Sequence, residues 1–176
     1  MKAGKYGLLI LLSWLALGSA RADHWETAGS VLAFALPLTA LTATYTLDDA
    51  DGRERLLVSY ALTMGAAVSL KAATDVERPD DSDRLSFPSA HTASAFSGAS
   101  FLQRRYGWEV GLPAYLGASY VGWSRINAER AHIRDVMAGA VLGWGINAWL
   151  VPEPHQAALA IWPTEGGAVL AFEWQF

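Results

Sequence analysis

The sequence predicts an all-α fold: a bundle of five to six helices, embedded in a membrane, with a short C-terminal β-hairpin appended. Three observations predict it. Five stretches almost free of charge follow one another, at 29–47, 56–70, 85–103, 110–124 and 136–151, each 15 to 19 residues long. They are rich in Ala, Gly, Ser and Thr, which let helices approach one another closely in a membrane bundle. The chain is 52% hydrophobic and only 17% charged, with a mean hydropathy of +0.20.

The elements follow in order. Residues 1–22 read as a secretory signal peptide: Lys2 and Lys5 form a positive start, 8–17 an apolar stretch, and Ala20-Arg21-Ala22 a small-residue cleavage site. The alternative is an uncleaved first span, the sixth helix. Cleavage removes Lys2, Lys5 and Arg21 and leaves 10 positive against 17 negative residues, a net −7, with Lys71 as the sole lysine. The five stretches are short for spans, which need about 20 apolar residues, and the same pattern fits the buried helices of a soluble all-helical enzyme. Residues 23–154 form the helical domain. Pro152 and Pro154 stop its last helix, and 155–176 reads as two strands around Thr164-Glu165-Gly166-Gly167. Trp108, Trp123, Trp144 and Trp149 fall near the ends of apolar runs, where interfacial aromatics sit.

Orientation favours the membrane reading. A chain that enters from outside and crosses at each stretch keeps Arg53, Arg55, Arg104 and Arg105 on inner turns, as the positive-inside rule asks. The connections around 71–84 and 125–135 then lie together on the outer face. The absence of cysteine excludes disulfides and thiolate metal sites, and no long basic run points to nucleic acid. The segment 74–84 carries five acids, Asp75, Glu77, Asp80, Asp81 and Asp83. It reads as a solvated loop, or alternatively as a lid or cation-attracting rim.

The polar residues at these connections suit an anion. In Leu85-Ser-Phe-Pro-Ser-Ala-His91, Ser89 is a plausible helix N-cap. The free amides behind it and the helix dipole favour negative charge at one spot. His91 lies in the first turn, where it can pass a proton to such an anion. Lys71, Arg78 and Arg125 add three cations from separate segments. Arginine forks grip two oxygens at once, while lysine acts as a point charge.

Three clusters in order carry a family likeness: Lys71 with Arg78-Pro79, then Pro88-Ser89-Ala90-His91, then Ser124-Arg125 with His132 and Asp135. Together with Arg-Tyr-Gly-Trp at 105–108 and Asp-Val-Met-Ala-Gly-Ala at 135–140, they resemble the signature of the type 2 phosphatidic acid phosphatase family. That family also includes bacterial acid phosphatases and vanadium haloperoxidases. The resemblance implies metal-independent phosphoester hydrolysis, with no cofactor, through a phosphohistidine. It implies phosphate binding by Lys71, Arg78, Ser89, Ala90 and Arg125. It implies His91 as the acid for the leaving alkoxide, and Asp135 as the carboxylate that orients the nucleophile.

Two departures stand out. Ala90 replaces the family's usual glycine, so a methyl narrows the approach to the anion. The family's spacing places the nucleophilic histidine at 131, where this chain has Ala131; the nearest histidine is His132, three residues before Asp135. A one-residue step along a helix turns a side chain by about 100°, so a substitution by His132 costs geometry. Three readings stay open: His132 attacks after a local shift, the site is vacant and only binds, or Ala131 is an engineered knock-out.

The expected function is dephosphorylation of a lipid phosphate or diphosphate, such as undecaprenyl diphosphate, phosphatidic acid, phosphatidylglycerol phosphate or lipid A. The expected place is the bacterial cytoplasmic membrane, with the site facing the periplasm. The alternatives are a non-catalytic phospholipid-binding membrane protein, a purely structural bundle and a soluble periplasmic phosphatase. Oligomeric state stays open.

Overall fold

A computed structural model describes residues 22–153, 158–164 and 167–173. It contains five α-helices: α1 Ala22–Thr46, α2 Ala50–Thr74, α3 Ala90–Tyr106, α4 Trp108–Asn127 and α5 Ile133–Leu150. The signal-peptide reading of 1–22 falls almost wholly outside the described residues. Each charge-poor stretch falls on a different helix, and two of the helices, α2 and α4, extend beyond their stretches at both ends. The third stretch needs correction. Residues 85–89 are loop, and the helix starts only after the cap at Ser89 and runs on to Tyr106.

That third helix is the centre of the bundle. α3 packs against α1, α2, α4 and α5, and almost every residue from Thr92 to Gln103 is buried. Its composition explains this, because Ala, Ser and Gly allow close neighbours on every side. The other four helices surround this stretch, which runs from the Ser89 end of the bundle to the Arg104–Arg105 end. Several of its hydroxyls are satisfied inside the protein, as buried polar groups usually are, while Ser100 Oγ has no hydrogen-bond partner among the described residues. Ser94 Oγ donates to the Ala33 carbonyl at 2.6 Å and lies 2.9 Å from the Tyr60 hydroxyl. Asn147 on α5 donates to the Ser97 carbonyl and hydroxyl at 3.2 and 3.0 Å, and accepts from Ser59 of α2 at 3.1 Å.

Glycines set the helix spacing. A Cβ on Gly139 would stand 2.4 Å from the Ser89 carbonyl, and one on Gly143 would stand 2.4 Å from the Ala93 carbonyl and 2.7 Å from the Ser97 nitrogen. α5 therefore lies against α3 backbone to backbone. Gly98 of α3 meets α1 where Pro37 has no N–H; a Cβ there would be 2.6 Å from the Pro37 nitrogen.

The outer surface is apolar. Val31, Phe34 and Leu38 of α1 and Leu57, Val58 and Leu62 of α2 are exposed. Two helical segments, His24–Thr46 and Ala50–Thr74, are long and apolar enough to cross a membrane by length and composition. The C-terminal strands, Ala158–Thr164 and Gly167–Glu173, pair antiparallel. The expected hairpin falls on this segment, but its turn residues 165–166 lie outside the described residues, and nothing below rests on it.

At one end of the bundle three of the arginines expected on inner turns are held by acids, and Arg53 lies over the Tyr45 ring at 4.3 Å. Asp49, the N-cap of α2, accepts from Arg105 Nε and Nη2 at 2.7 and 2.6 Å, from the Gly52 N–H at 2.8 Å and from the Tyr106 hydroxyl at 3.1 Å. Arg104 pairs with Glu153 at 2.9 Å, and Arg55 with Asp51 at 2.9 Å. The positive bias expected there is largely neutralised. The Arg105 hydrogen bond, ahead of the other causes, holds the Asp49 carboxyl at about 2, below its usual 3.8.

Two outcomes are expected. Gly143→Ala should cost about 1–3 kcal/mol through overpacking and lower the thermal midpoint in detergent. Gly145→Ala, where no atom lies within 4 Å of the added methyl, should not. A depressed folded-state pKa means that the Asp49 contribution is complete above 3.8 and is lost as pH falls through about 2. Thermal midpoints of the protein should therefore fall across that window, and less steeply in Asp49→Asn.

Candidate active site

At the other end of the bundle, the C-termini of α2 and α4 meet the N-termini of α1, α3 and α5. The loop from Asp75 to Ser89 closes over this end. It turns at Phe87-Pro88, a cis peptide, and stops at Ser89, the N-cap of α3. The Ser89 N–H donates to the Asp135 carbonyl at 2.9 Å. Its hydroxyl accepts from the Thr92 N–H at 3.4 Å and lies 2.9 Å from the Thr92 hydroxyl. The first-turn amides left for a ligand are those of Ala90 and His91.

The three expected cations come together around His91, and the charges of Arg125, Lys71 and Arg78 all act on it. The His91 ring packs edge-on to Phe34 of α1, with centroids 6.0 Å apart. Lys71 donates from the end of α2 to the carbonyls of Leu85 and Ser86 at 2.5 and 3.3 Å. Arg78 donates through Nε to Asp83 Oδ1 at 2.7 Å. Arg125 is 5% exposed. Its Nη2 donates to the Glu26 carbonyl at 2.8 Å and the Ser30 hydroxyl at 3.2 Å, while its buried Nε has no hydrogen-bond partner among the described residues. It reaches across to α1 instead of capping its own helix.

Asp135 is fully buried. Its Oδ2 accepts the His132 N–H at 2.9 Å, lies 3.1 Å from His132 Nδ1, and accepts the Ser86 hydroxyl at 2.5 Å. The helical argument against His132 is corrected here. His132 is the N-cap of α5, with φ −74 and ψ 160, so it stands on extended backbone before the helix. The 100° turn of a helical step does not apply to it. Its side chain is 40% exposed, whereas Ala131 is buried at 3%.

Sequence reading missed four residues. Ser86 holds Asp135 from within the loop. Glu26 pairs with Arg130 at 2.9 Å and lies 3.8 Å from Arg125. Arg130 also reaches Asp80 at 2.9 Å, which ties the loop to α1. Asp83 holds Arg78. The signal for Glu26 is its spacing: Glu26, Gly29 and Ser30 share one face of α1, and a Cβ on Gly29 would come within 1.9 Å of Ser124 Oγ. The acids of 74–84 are not a free rim, since Asp75 pairs with Arg84 at 3.0 Å, alongside the Asp80 and Asp83 pairs. The Leu85 N–H, ahead of the Arg78 bond, holds the Asp83 carboxyl below its usual range. No group of three metal-ligating side chains occurs among the described residues.

Comparison with known proteins bears on the family and the fold. The PAP2 superfamily profile matches residues 54–157. The chain is 33% identical over 132 residues to the lipid A 4'-phosphatase of Helicobacter pylori, covering 68% of this chain and 66% of that protein. It is 38% identical over 97 residues to the lipid A 1-phosphatase of Porphyromonas gingivalis, covering 51% of this chain and 22% of that protein. The chain thus spans just under two thirds of the first relative and about a fifth of the second. The crystal structure of Aquifex aeolicus LpxE superposes with a TM-score of 0.63 at 24% identity, covering 80% of this chain and 92% of that one. That likeness bears on the fold.

If the three cations cage one oxyanion, Lys71→Ala or Arg78→Ala should weaken orthovanadate binding by an order of magnitude or more, consistent with about 1.4 kcal/mol per tenfold. Titration of the detergent-solubilised protein measures it, and unaltered affinity in both variants counts against the cage.

Proposed function

Because this chain belongs to the PAP2 superfamily, we propose that it is a phosphatase acting on a phosphorylated membrane lipid. A glycolipid of the lipid A kind leads the candidates, because both curated relatives are lipid A phosphatases. One observation carries the reading: three cations from three segments lie near enough for their charges to act on His91, and one of them, Lys71, also feels the charge of Asp135, the partner of His132.

The chemistry follows from the side chains. Phosphoryl transfer needs its oxygens held, a nucleophile in line and a proton for the leaving group. Lys71, Arg78 and Arg125 hold the oxygens, with the amides of Ala90 and His91 as neutral donors. With Nδ1–H directed at Asp135 Oδ2, the lone pair of His132 sits on Nε2. Nε2 attacks phosphorus, the ester P–O bond breaks, and His91 gives its proton to the departing alkoxide. Water then attacks the phosphohistidine, returns a proton to His91, and frees phosphate and Nε2. Ser86 keeps the Asp135 carboxylate aligned throughout. Glu26 and Ser30 fix Arg125 so that its buried Nε is free to meet the anion.

The exposed apolar faces of α1 and α2 support a place in the membrane, where a lipid arrives sideways. In this reading the site faces the periplasm, and Arg53, Arg55, Arg104 and Arg105 are the arginines of the inner turns.

A second reading keeps the cage and drops the turnover, because Ala131 occupies the position where the family's spacing calls for histidine. Release of phosphate from a lipid A preparation in mixed micelles separates the two. The phosphatase reading expects turnover by the protein as it stands, a loss of at least about a thousandfold in His132→Ala on the scale of removed catalytic groups, and orthovanadate binding retained in that variant. No turnover in the parent, with turnover appearing in Ala131→His, would establish the binding reading instead.

A further inference from the structure

Asp83 lies outside the three signature clusters, yet one of its oxygens touches the supports of two clamp cations. Oδ1 accepts the Arg78 Nε–H at 2.7 Å and the Leu85 N–H at 2.8 Å. The Leu85 carbonyl, on the same residue, accepts from Lys71 Nζ at 2.5 Å. A second bond closes the loop, since the Arg78 N–H donates to the Asp83 carbonyl at 3.0 Å. Asp81 stands between them at φ 54 and makes the turn, and its N–H donates to the Arg78 carbonyl at 3.1 Å.

The atom used on Arg78 matters. Asp83 takes Nε, and the two terminal nitrogens of the guanidinium stay clear of that contact. Held at Nε, the planar fork keeps a fixed direction and loses less freedom when it meets an oxyanion. A carboxylate that merely occupied the anion site would meet those terminal nitrogens instead.

We propose that Asp83 is a positioning residue of the anion cage, which fixes Arg78 directly and Lys71 through the Leu85 peptide. The proposal rests on the phosphatase reading of the same site and adds a residue to it. The function of Asp83 is acceptance of two hydrogen bonds more than its charge. An asparagine Oδ1 can accept both, and an alanine neither.

The test is orthovanadate affinity of the full chain in detergent, with the thermal midpoint of each variant recorded alongside. Asp83→Ala is expected to weaken binding about tenfold, on the order of 1.4 kcal/mol. Asp83→Asn should stay within about threefold of the parent, because the acceptor remains. Glu77→Ala serves as the loop control. Glu77 is exposed and pairs with Arg84 at 3.7 Å, and none of its ion pairs among the described residues is with a clamp cation, so its loss should leave affinity unchanged. Equal or tighter binding by Asp83→Ala would overturn the proposal and mark Asp83 as a competing anion. Equal weakening in Glu77→Ala would overturn it too, since general loosening of the loop would then suffice. If the parent binds no orthovanadate, the cage itself fails and this inference goes with it. Binding by the parent with no response at Asp83 removes this inference alone.

Discussion

Two glycines one turn apart on α5 determine how near it lies to α3. Gly139 lies under the Ser89 carbonyl and Gly143 under that of Ala93. No residue with a Cβ fits at that separation without a shift of backbone. The consequence reaches the site directly, because the same contact sets Ser89 against the start of α5. The Ser89 N–H then finds the Asp135 carbonyl, and the Ser86 hydroxyl finds its carboxylate. Two of the three signature clusters are thus joined by backbone spacing before any ligand arrives. Helices that are held backbone to backbone cannot slide without breaking those bonds. Asn147 adds a polar lock one turn beyond Gly143, bonded to both Ser97 and Ser59.

Charge is arranged on the same principle at the two ends. A guanidinium taken from water needs a partner, or the desolvation cost goes unmet. At the arginine-bearing end, Asp49 takes Arg105 in a bidentate pair and Glu153 takes Arg104, so those cations serve the structure. At the site end the pairing is partial. Glu26 shares itself between Arg130 and Arg125, and Asp83 meets Arg78 only at Nε. Lys71 faces two carbonyls and no carboxylate within bonding distance among the described residues. The site end therefore keeps donors in reserve, as the oxyanion of the proposed reaction would need. This difference, more than the number of cations, separates a binding end from a structural one.

Much of this was legible in the sequence. Ser89 announced itself as a cap through the Pro-Ser pair before a charge-free run, and the order of Lys71, Arg78, His91, Arg125 and Asp135 announced a shared site. The rest was hidden for definite reasons. Hydropathy cannot tell a helix surrounded by lipid from one surrounded by helices, so the central place of α3 was hidden although its Ser and Gly content suits an enclosed position. Glu26 acts across 99 residues of sequence on Arg125, and no local pattern gives such a pairing. The acids of 74–84 read as solvated because composition does not reveal which arginines they meet.

The position of His132 shows how backbone conformation can overrule a spacing rule. On a helix, a shift of one residue would turn the ring by about 100°, although residues three apart still share a face. Here the shift falls on the last residue before the helix, where the backbone is extended and the first-turn geometry is not yet imposed. An N-cap side chain and the residue at N3 meet by reciprocal bonding, as in a capping box. His132 and Asp135 use that geometry, with the backbone N–H and Nδ1 both directed at one carboxylate oxygen. The contact the chemistry needs is the one that helix initiation already favours. A histidine displaced by one position along the chain thus reaches its carboxylate at no extra cost in helix geometry, while Ala131, turned into the protein, is free to be small.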